Sequence, residues 1–363
     1  MKAKNMSKTK KAAAMFFAAA IFAVIVMSFS ATFAFYADEN ALPVSVNEEK
    51  TLIAAGVPFG VRLHTDGVII VNLTKVGSGE GTKSPALEAG LHKGDIILCV
   101  NGERIGSAKA LCDAVEKSGG LAISLTVKHG GKEKTVTLSP VADANGAYKI
   151  GVLARDNAAG IGTVTFIDPS TGIFAGLGHG ICDAETGELI PISYGSCEDV
   201  TLTDIIKGKS GAPGELRGYF SGKKTGKIIN NSFAGVFGAL SEIPESLRTE
   251  VYKAQGRGQV HNGKAYIFTT VDDGGRQKYE VNISAIDESG GQKNFIVEIT
   301  DEALLSKTGG IVQGMSGSPI IQDGLLVGAV THVMISDPTR GYGILIENML
   351  DGMTLSHNTP IAA

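Results

Sequence analysis

The segment Gly309-Gly310-Ile311-Val312-Gln313-Gly314-Met315-Ser316-Gly317-Ser318-Pro319-Ile320-Ile321 places a serine among glycines, between two runs of strand-forming residues. A serine hydroxyl is a weak nucleophile until the chain exposes it and a nearby base takes its proton. Gly314, two residues before Ser316, lets its backbone N–H turn toward the same point as the Ser316 N–H, and two converging amides make an oxyanion hole. Gly317 and Pro319 then enforce a tight turn into a strand over 320–332. The segment is expected to carry a nucleophile at the mouth of a β structure.

The base that such a serine requires is sought among seven histidines. His179, in Gly178-His179-Gly180-Ile181-Cys182-Asp183, follows a short apolar run and is flanked by glycines, so its ring projects from exposed backbone at a strand end. An ordinary pKa near neutrality suits imidazole to this proton transfer. His332, next to Thr331 on the strand after the serine, is the rival, and it alternatively lines the cleft or sits in the core. His64, His92 and His129 fall in an upstream region, and His261 and His357 in polar, turn-like surroundings.

Composition sets the frame. The chain has 363 residues, 43% of them hydrophobic, and 48 glycines. That is enough for about two domains with a real core, and unperiodic glycine on this scale suits turn-rich β structure rather than a helical bundle. Lys and Arg number 33 against 37 Asp and Glu. The five charges before residue 38 are all lysines, leaving 28 basic against 37 acidic residues in the body. An acidic body offers no electrostatic footprint for nucleic acid. The four cysteines, Cys99, Cys112, Cys182 and Cys197, include no Cys-x-x-Cys pair, so neither a structural zinc site nor another metal site is indicated. Cys182 and Cys197 are read either as two free thiols or as a pair, if the compartment is oxidising.

Residues 1–37 hold those lysines and then an apolar stretch over 12–37. A positive flank before an apolar run long enough to cross a bilayer reads as an export signal or membrane anchor with the body outside. Residues 38–50 are polar and unperiodic, a linker. From 51 to 141 the pattern changes to short strands, a capped one- to two-turn helix beginning at Ser84, and a helix over 107–117. Residues 142–363 hold many short β runs, at 162–166, 173–177, 228–236, 264–270, 278–285, 295–299, 325–333 and 343–346, with one candidate helix over 242–253. Such spacing predicts sandwich or barrel architecture.

Three sets of residues carry a resemblance. Gly314-Met315-Ser316-Gly317-Ser318-Pro319 resembles the Gly-Asp-Ser-Gly-Gly-Pro signature of chymotrypsin-like serine proteases, with Ser318 in place of the second glycine. Ser84-Pro85-Ala86, Ala89-Gly90-Leu91, Gly94-Asp95-Ile96-Ile97 and Val100-Asn101-Gly102 resemble a PDZ domain. Together with Gly178-His179-Gly180, in the order anchor, PDZ, peptidase, the chain resembles the stage IV sporulation protein B peptidase family of endospore-forming bacteria.

The resemblance implies a mainly β fold, in which an α+β PDZ domain is followed by a two-β-barrel chymotrypsin-like serine protease domain. It implies Ser316 as nucleophile, His179 as base, the Gly314 and Ser316 amides as oxyanion hole, and Thr331 and His332 as cleft residues, with no cofactor. Val57, Pro58, Phe59 and Gly60 would be the PDZ loop that receives a peptide terminus. The orienting carboxylate is open among Asp168, Asp183, Asp301 and Asp323. The family places its aspartate shortly before the serine motif, which favours Asp301, while Asp183 could brace the histidine loop and Asp301 could simply cap a helix at 302–306.

The implied biology is cleavage of a membrane-bound regulatory protein, and of the chain itself, at the inner forespore membrane facing the intermembrane space, releasing an embedded protease that activates a late sigma factor. The alternatives are a non-catalytic PDZ adaptor and an exported quality-control protease. The latter class usually carries its PDZ domain after the protease.

Overall fold

A computed structural model of the chain describes residues 50–78, 81–183 and 187–357. The expected anchor lies outside these residues, as does all but the last residue of the expected linker. Among the described residues no helix is long and apolar enough to cross a membrane.

Two barrels and an insert make up the fold. The strand Thr51–Leu73 runs for 23 residues, far beyond the usual 3 to 10, because it serves two bodies in succession. Its first part pairs antiparallel with the far half of Val152–Ile167, from Ile53 opposite Ile167 to His64 opposite Asn157. Ile173–Gly176, Gly235–Leu240, Glu215–Ser232 and Ile192–Ile206 follow in ladder order, and the last returns to pair with Gly60–Thr65. The circuit is closed and six-stranded. Closure leaves no unpaired sheet edge within the circuit. Inside it lie Ile53, Phe59, Val61, Leu63, Val164, Phe174, Cys197 and Val236.

The second barrel closes in the same way. Gly263–Thr270, Arg276–Ser284, Phe295–Ile299, Asp337–Leu345, Leu325–Met334 and Pro319–Gln322 pair in that order, and Pro319–Gln322 returns to Gly263–Thr270. Val281, Ile283, Phe295, Val297, Ile299, Val327, Val330 and Leu345 fill it. Each such fully buried side chain contributes roughly 1.5–3 kcal/mol of apolar transfer free energy. Between the barrels, the strand Val251–Ala254 pairs with Thr51–Ile53 on one side and with Leu325–Leu326 on the other. The expected helix over 242–253 is therefore a correction: a single 3-10 turn, Glu245–Leu247, precedes that bridging strand. Pro244 starts the turn, and the apolar side chains beyond it pair as a strand instead of forming a helical face.

The PDZ domain is inserted into the first barrel. Gly67, at φ 109°, bends the long strand where a Cβ would lie 2.7 Å from the Ile97 carbonyl oxygen, so only glycine fits. Beyond the bend, Val68 and Ile69 pair with Ile97 and Ile96, while residues 69–73 pair with Val152–Arg155. Ile123–His129 and Lys132–Leu138 extend the sheet, and the helix Ala108–Lys117 covers it, capped by the Ser107 hydroxyl accepting from the Ala110 N–H. The insert's core unites Val68, Ile70, Leu91, Ile97, Leu111, Val115, Leu125 and Ile150. Both expected boundaries shift as a result. Residues 51–65 belong to the peptidase barrel, and the PDZ core extends past residue 142 to Ile150.

Candidate active site

The serine loop is built by a helix and a turn. The helix Glu302–Thr308 ends in Gly309, left-handed at φ 72°. The chain then crosses to Ser316 through Ile311 and Val312, both buried in the second barrel. Thr163 of the first barrel fastens it: its hydroxyl donates to the Gly314 carbonyl at 2.7 Å and its N–H to the Ser316 carbonyl at 3.0 Å. Gly317, at φ 97°, packs so closely that a Cβ would sit 2.1 Å from the Thr163 carbonyl oxygen. These contacts turn the Gly314 and Ser316 peptide units so that, among the described residues, neither N–H donates to a protein acceptor. Two free amides two residues apart suit a developing oxyanion.

His179 arrives from the first barrel. Leu177 and Gly178 both adopt left-handed φ, 68° and 66°, which throws the next side chain off the strand end. Ser316, His179, Thr331, His332, Gln313 and Gly314 line one cleft of about 440 Å³ between the barrels. The structure thus brings together the serine, the histidine, the amide pair and both cleft residues expected from sequence.

Within the cleft, the Ser316 hydroxyl donates to the Thr331 carbonyl at 2.5 Å. His179 Nδ1 lies 3.0 Å from the Gly180 carbonyl oxygen. A carbonyl only accepts, so the contact places the proton on Nδ1 and leaves Nε2 with its lone pair, the tautomer a general base needs. Burial holds the His179 ring below its ordinary pKa, and the Gly180 carbonyl opposes that shift in part. His332 lies against it in a tilted arrangement, with ring centroids 4.6 Å apart at 36°. Burial first, then the positive charges of His179 and Lys293, push His332 down to about 4. Its Nδ1 is buried and has no hydrogen-bond partner. Both rings are therefore neutral at neutral pH.

Asp301 is not brought to His179. One carboxylate oxygen accepts from the Ala303 and Leu304 N–H groups, both at 3.0 Å, and the other faces the Glu280 N–H at 3.4 Å. It caps the helix that carries the serine loop, which corrects the expectation of an orienting carboxylate. The other candidates are engaged elsewhere too: Asp183 with Arg155 at 2.8 Å, Asp323 with His261 at 2.7 Å, and Asp168 with its own Ser170 turn. The Gly180 carbonyl stands where a carboxylate was expected, and a backbone atom next to the histidine leaves no mark in the sequence. Thr163 was missed for the same reason, since its partner lies 151 residues away.

Val57, Pro58, Phe59 and Gly60 are likewise not a PDZ loop. They lie in the first barrel strand opposite residues 161–164, and Phe59 packs edge-on against Phe174 at 5.6 Å. The groove of the PDZ insert is found instead between the helix Ala108–Lys117 and residues 148–154, with a volume of about 930 Å³. Leu111, Val115, Tyr148 and Val152 are among its walls. All four cysteines are free. Cys197 is buried in the first barrel, which raises its thiol to about 12.

Compared with known families, the chain matches the SpoIVB peptidase S55 profile over residues 146–350, more than half its length. The chain belongs to the SpoIVB peptidase S55 family. Residues 78–129 match a PDZ domain. The peptidase is thus a serine endopeptidase that carries a PDZ domain. Among solved structures, it is similar to the HtrA-type protease AlgW with decapeptide, at 9% identity over 85% of this chain and 66% of that one, with a TM-score of 0.35. The Rv3671c protease in its inactive form aligns at 13% identity over 54% of this chain and 83% of that one, TM-score 0.29. The PDZ domain of an SdrC-like protein from Listeria monocytogenes aligns at 25% identity over 24% of this chain and 87% of that one, TM-score 0.21.

Proposed function

We propose that this peptidase cleaves a membrane-bound regulatory protein and its own N-terminal region during sporulation, acting outside the membrane that residues 12–37 anchor it to. The placement follows the family's role, with the inner forespore membrane and the intermembrane space as site of action. The observation that carries the chemistry is Ser316 and His179 lining one cleft beside two free amides.

In the proposed reaction the Ser316 hydroxyl leaves the Thr331 carbonyl and gives its proton to His179 Nε2 as Oγ attacks the scissile carbonyl carbon. Nδ1–H stays on the Gly180 carbonyl, which orients the ring and partly offsets the positive charge it gains. The Gly314 and Ser316 amides hold the oxyanion. His179 then returns the proton to the leaving amine, and a water molecule repeats the sequence to release the acyl group. The PDZ groove beside residues 148–154 offers a strand edge to an extended peptide, a route for holding the partner or the chain's own N-terminal segment.

N-terminal sequencing of the full-length protein beside Ser316→Ala tests self-cleavage, and co-expression with a membrane-protein partner tests the rest. Processing between the anchor and Thr51, where the first barrel strand begins, is expected in the wild type alone. Identical N-termini in both proteins would remove self-cleavage from the proposal.

A further inference from the structure

His92, Asp95 and His129 meet in the PDZ insert, away from the catalytic cleft. The Asp95 carboxylate is fully buried. One oxygen accepts from the His92 N–H at 3.0 Å, and the other is 2.5 Å from His129 Nδ1. The two imidazole rings lie 5.5 Å apart, and one ligand atom from each of the three residues falls within 4.8 Å of the others. We propose that these three side chains bind a single divalent cation of the zinc type.

The chemistry of the donor set supports this. Two imidazole nitrogens and one carboxylate oxygen suit zinc and its borderline neighbours, leaving a fourth position for water. A purely structural tie between the loop and the strand end needs only His129 and Asp95. The His92 ring makes no hydrogen bond, and its contact is the ring of His129. The backbone that presents the carboxylate is also held before any ion arrives: the Ile70 N–H donates to the Asp95 backbone carbonyl and the Gly94 N–H to the Ile70 carbonyl, both at 2.8 Å. His129 ends the strand Ile123–His129 just before the Gly130-Gly131 turn. Lys134 Nζ, 3.7 Å from the oxygen that faces the loop, also donates to the Gly90 carbonyl, and its long exposed side chain can turn to solvent when a cation enters. Bound metal would replace the His129–Asp95 hydrogen bond with a shared ion, clamping the loop to the hairpin. The residues lie 3 and 34 positions apart, which is why no metal motif shows in the sequence.

Calorimetric titration of the full-length Ser316→Ala protein with zinc chloride tests the site. Binding of one ion is expected, with a rise in thermal midpoint on zinc addition, and His92→Ala and His129→Ala should each weaken binding by more than about a hundredfold, beyond the roughly 10–100-fold that loss of an outer-shell partner causes. His92 is exposed and its ring carries no hydrogen bond, so His92→Ala retains the fold and isolates the ligand effect. No saturable binding would overturn the proposal, as would binding that survives both substitutions, which would place the ion away from these three residues.

Discussion

The Ser316 hydroxyl donates to the Thr331 carbonyl, 2.5 Å away, and not to His179, the base proposed to deprotonate it. The proposed nucleophile thus rests on a backbone acceptor and must leave it before it can give its proton to His179 in the same cleft. Losing this hydroxyl costs the fold one hydrogen bond, about 1 kcal/mol, while chemistry loses its attacking atom. Ser316→Ala should therefore melt within a few degrees of the wild type yet neither cleave peptide nor take up a fluorophosphonate. Labelling of the variant at wild-type rate would show that another residue is the nucleophile.

Asp301 as a helix cap predicts a different mutational pattern from Asp301 as a catalytic partner. Asparagine caps as well as aspartate does, and alanine costs about 1 kcal/mol. Asp301→Asn should therefore keep kcat/KM within a few-fold of the wild type, whereas Asp301→Ala should lower the thermal midpoint and weaken activity through the serine loop that follows. An aspartate orienting the histidine would instead lose about 10⁴-fold in kcat on conversion to asparagine, with the fold intact. Measuring kcat and melting temperature together on both variants separates the two roles.

What the sequence disclosed and what it hid divide along a physical line. That Ser316 and His179 project from turns into one cleft was legible because the glycines beside each mark backbone that can swing a side chain off a strand end. The alternating apolar runs gave the barrel strands because each strand buries one face. The role of Asp301 was misjudged because a carboxylate before a helix and a carboxylate before a nucleophile look alike until the acceptor's partners are known. Val57–Gly60 was expected as the peptide-binding loop through the PDZ resemblance, yet all four residues pair in register with residues 161–164 of the barrel, just after a register shift between Ala54 and Val57. The insertion of the PDZ domain rests on pairings such as Ile53 with Ile167, more than a hundred residues apart, which no local pattern encodes.

Thr163 couples the two barrels at the serine loop. Thr163→Val keeps shape and removes the only donor that the structure gives the Gly314 carbonyl. Leaving a buried carbonyl unpaired costs about 1–3 kcal/mol, and the Gly314–Met315 peptide unit is then free to rotate, which changes the backbone angles at Gly314 and so the direction of the preceding Gly314 N–H. The expected result is a fall in kcat larger than the rise in KM, with modest destabilisation, because an oxyanion donor acts mainly in the transition state. A variant with unchanged kcat would exclude the Gly314 amide from the oxyanion hole.

Acid should weaken the fold through the histidine pair. Both His179 and His332 have their pKa lowered by burial, His332 to about 4 from an ordinary value of 6.5. A depressed histidine takes up its proton more readily unfolded than folded, so its contribution is fully present above about 6.5 and is lost as pH falls from there toward the folded pKa. The urea midpoint should accordingly drop between pH 6.5 and 4, and His332→Gln should flatten that drop by removing one of the two groups. The same shift in His179 places the acidic limb of the kcat/KM profile below 6.5, since the neutral ring is the active form. A limb above 6.5 would mean that the free enzyme holds His179 close to an anion, which would return a carboxylate to the site.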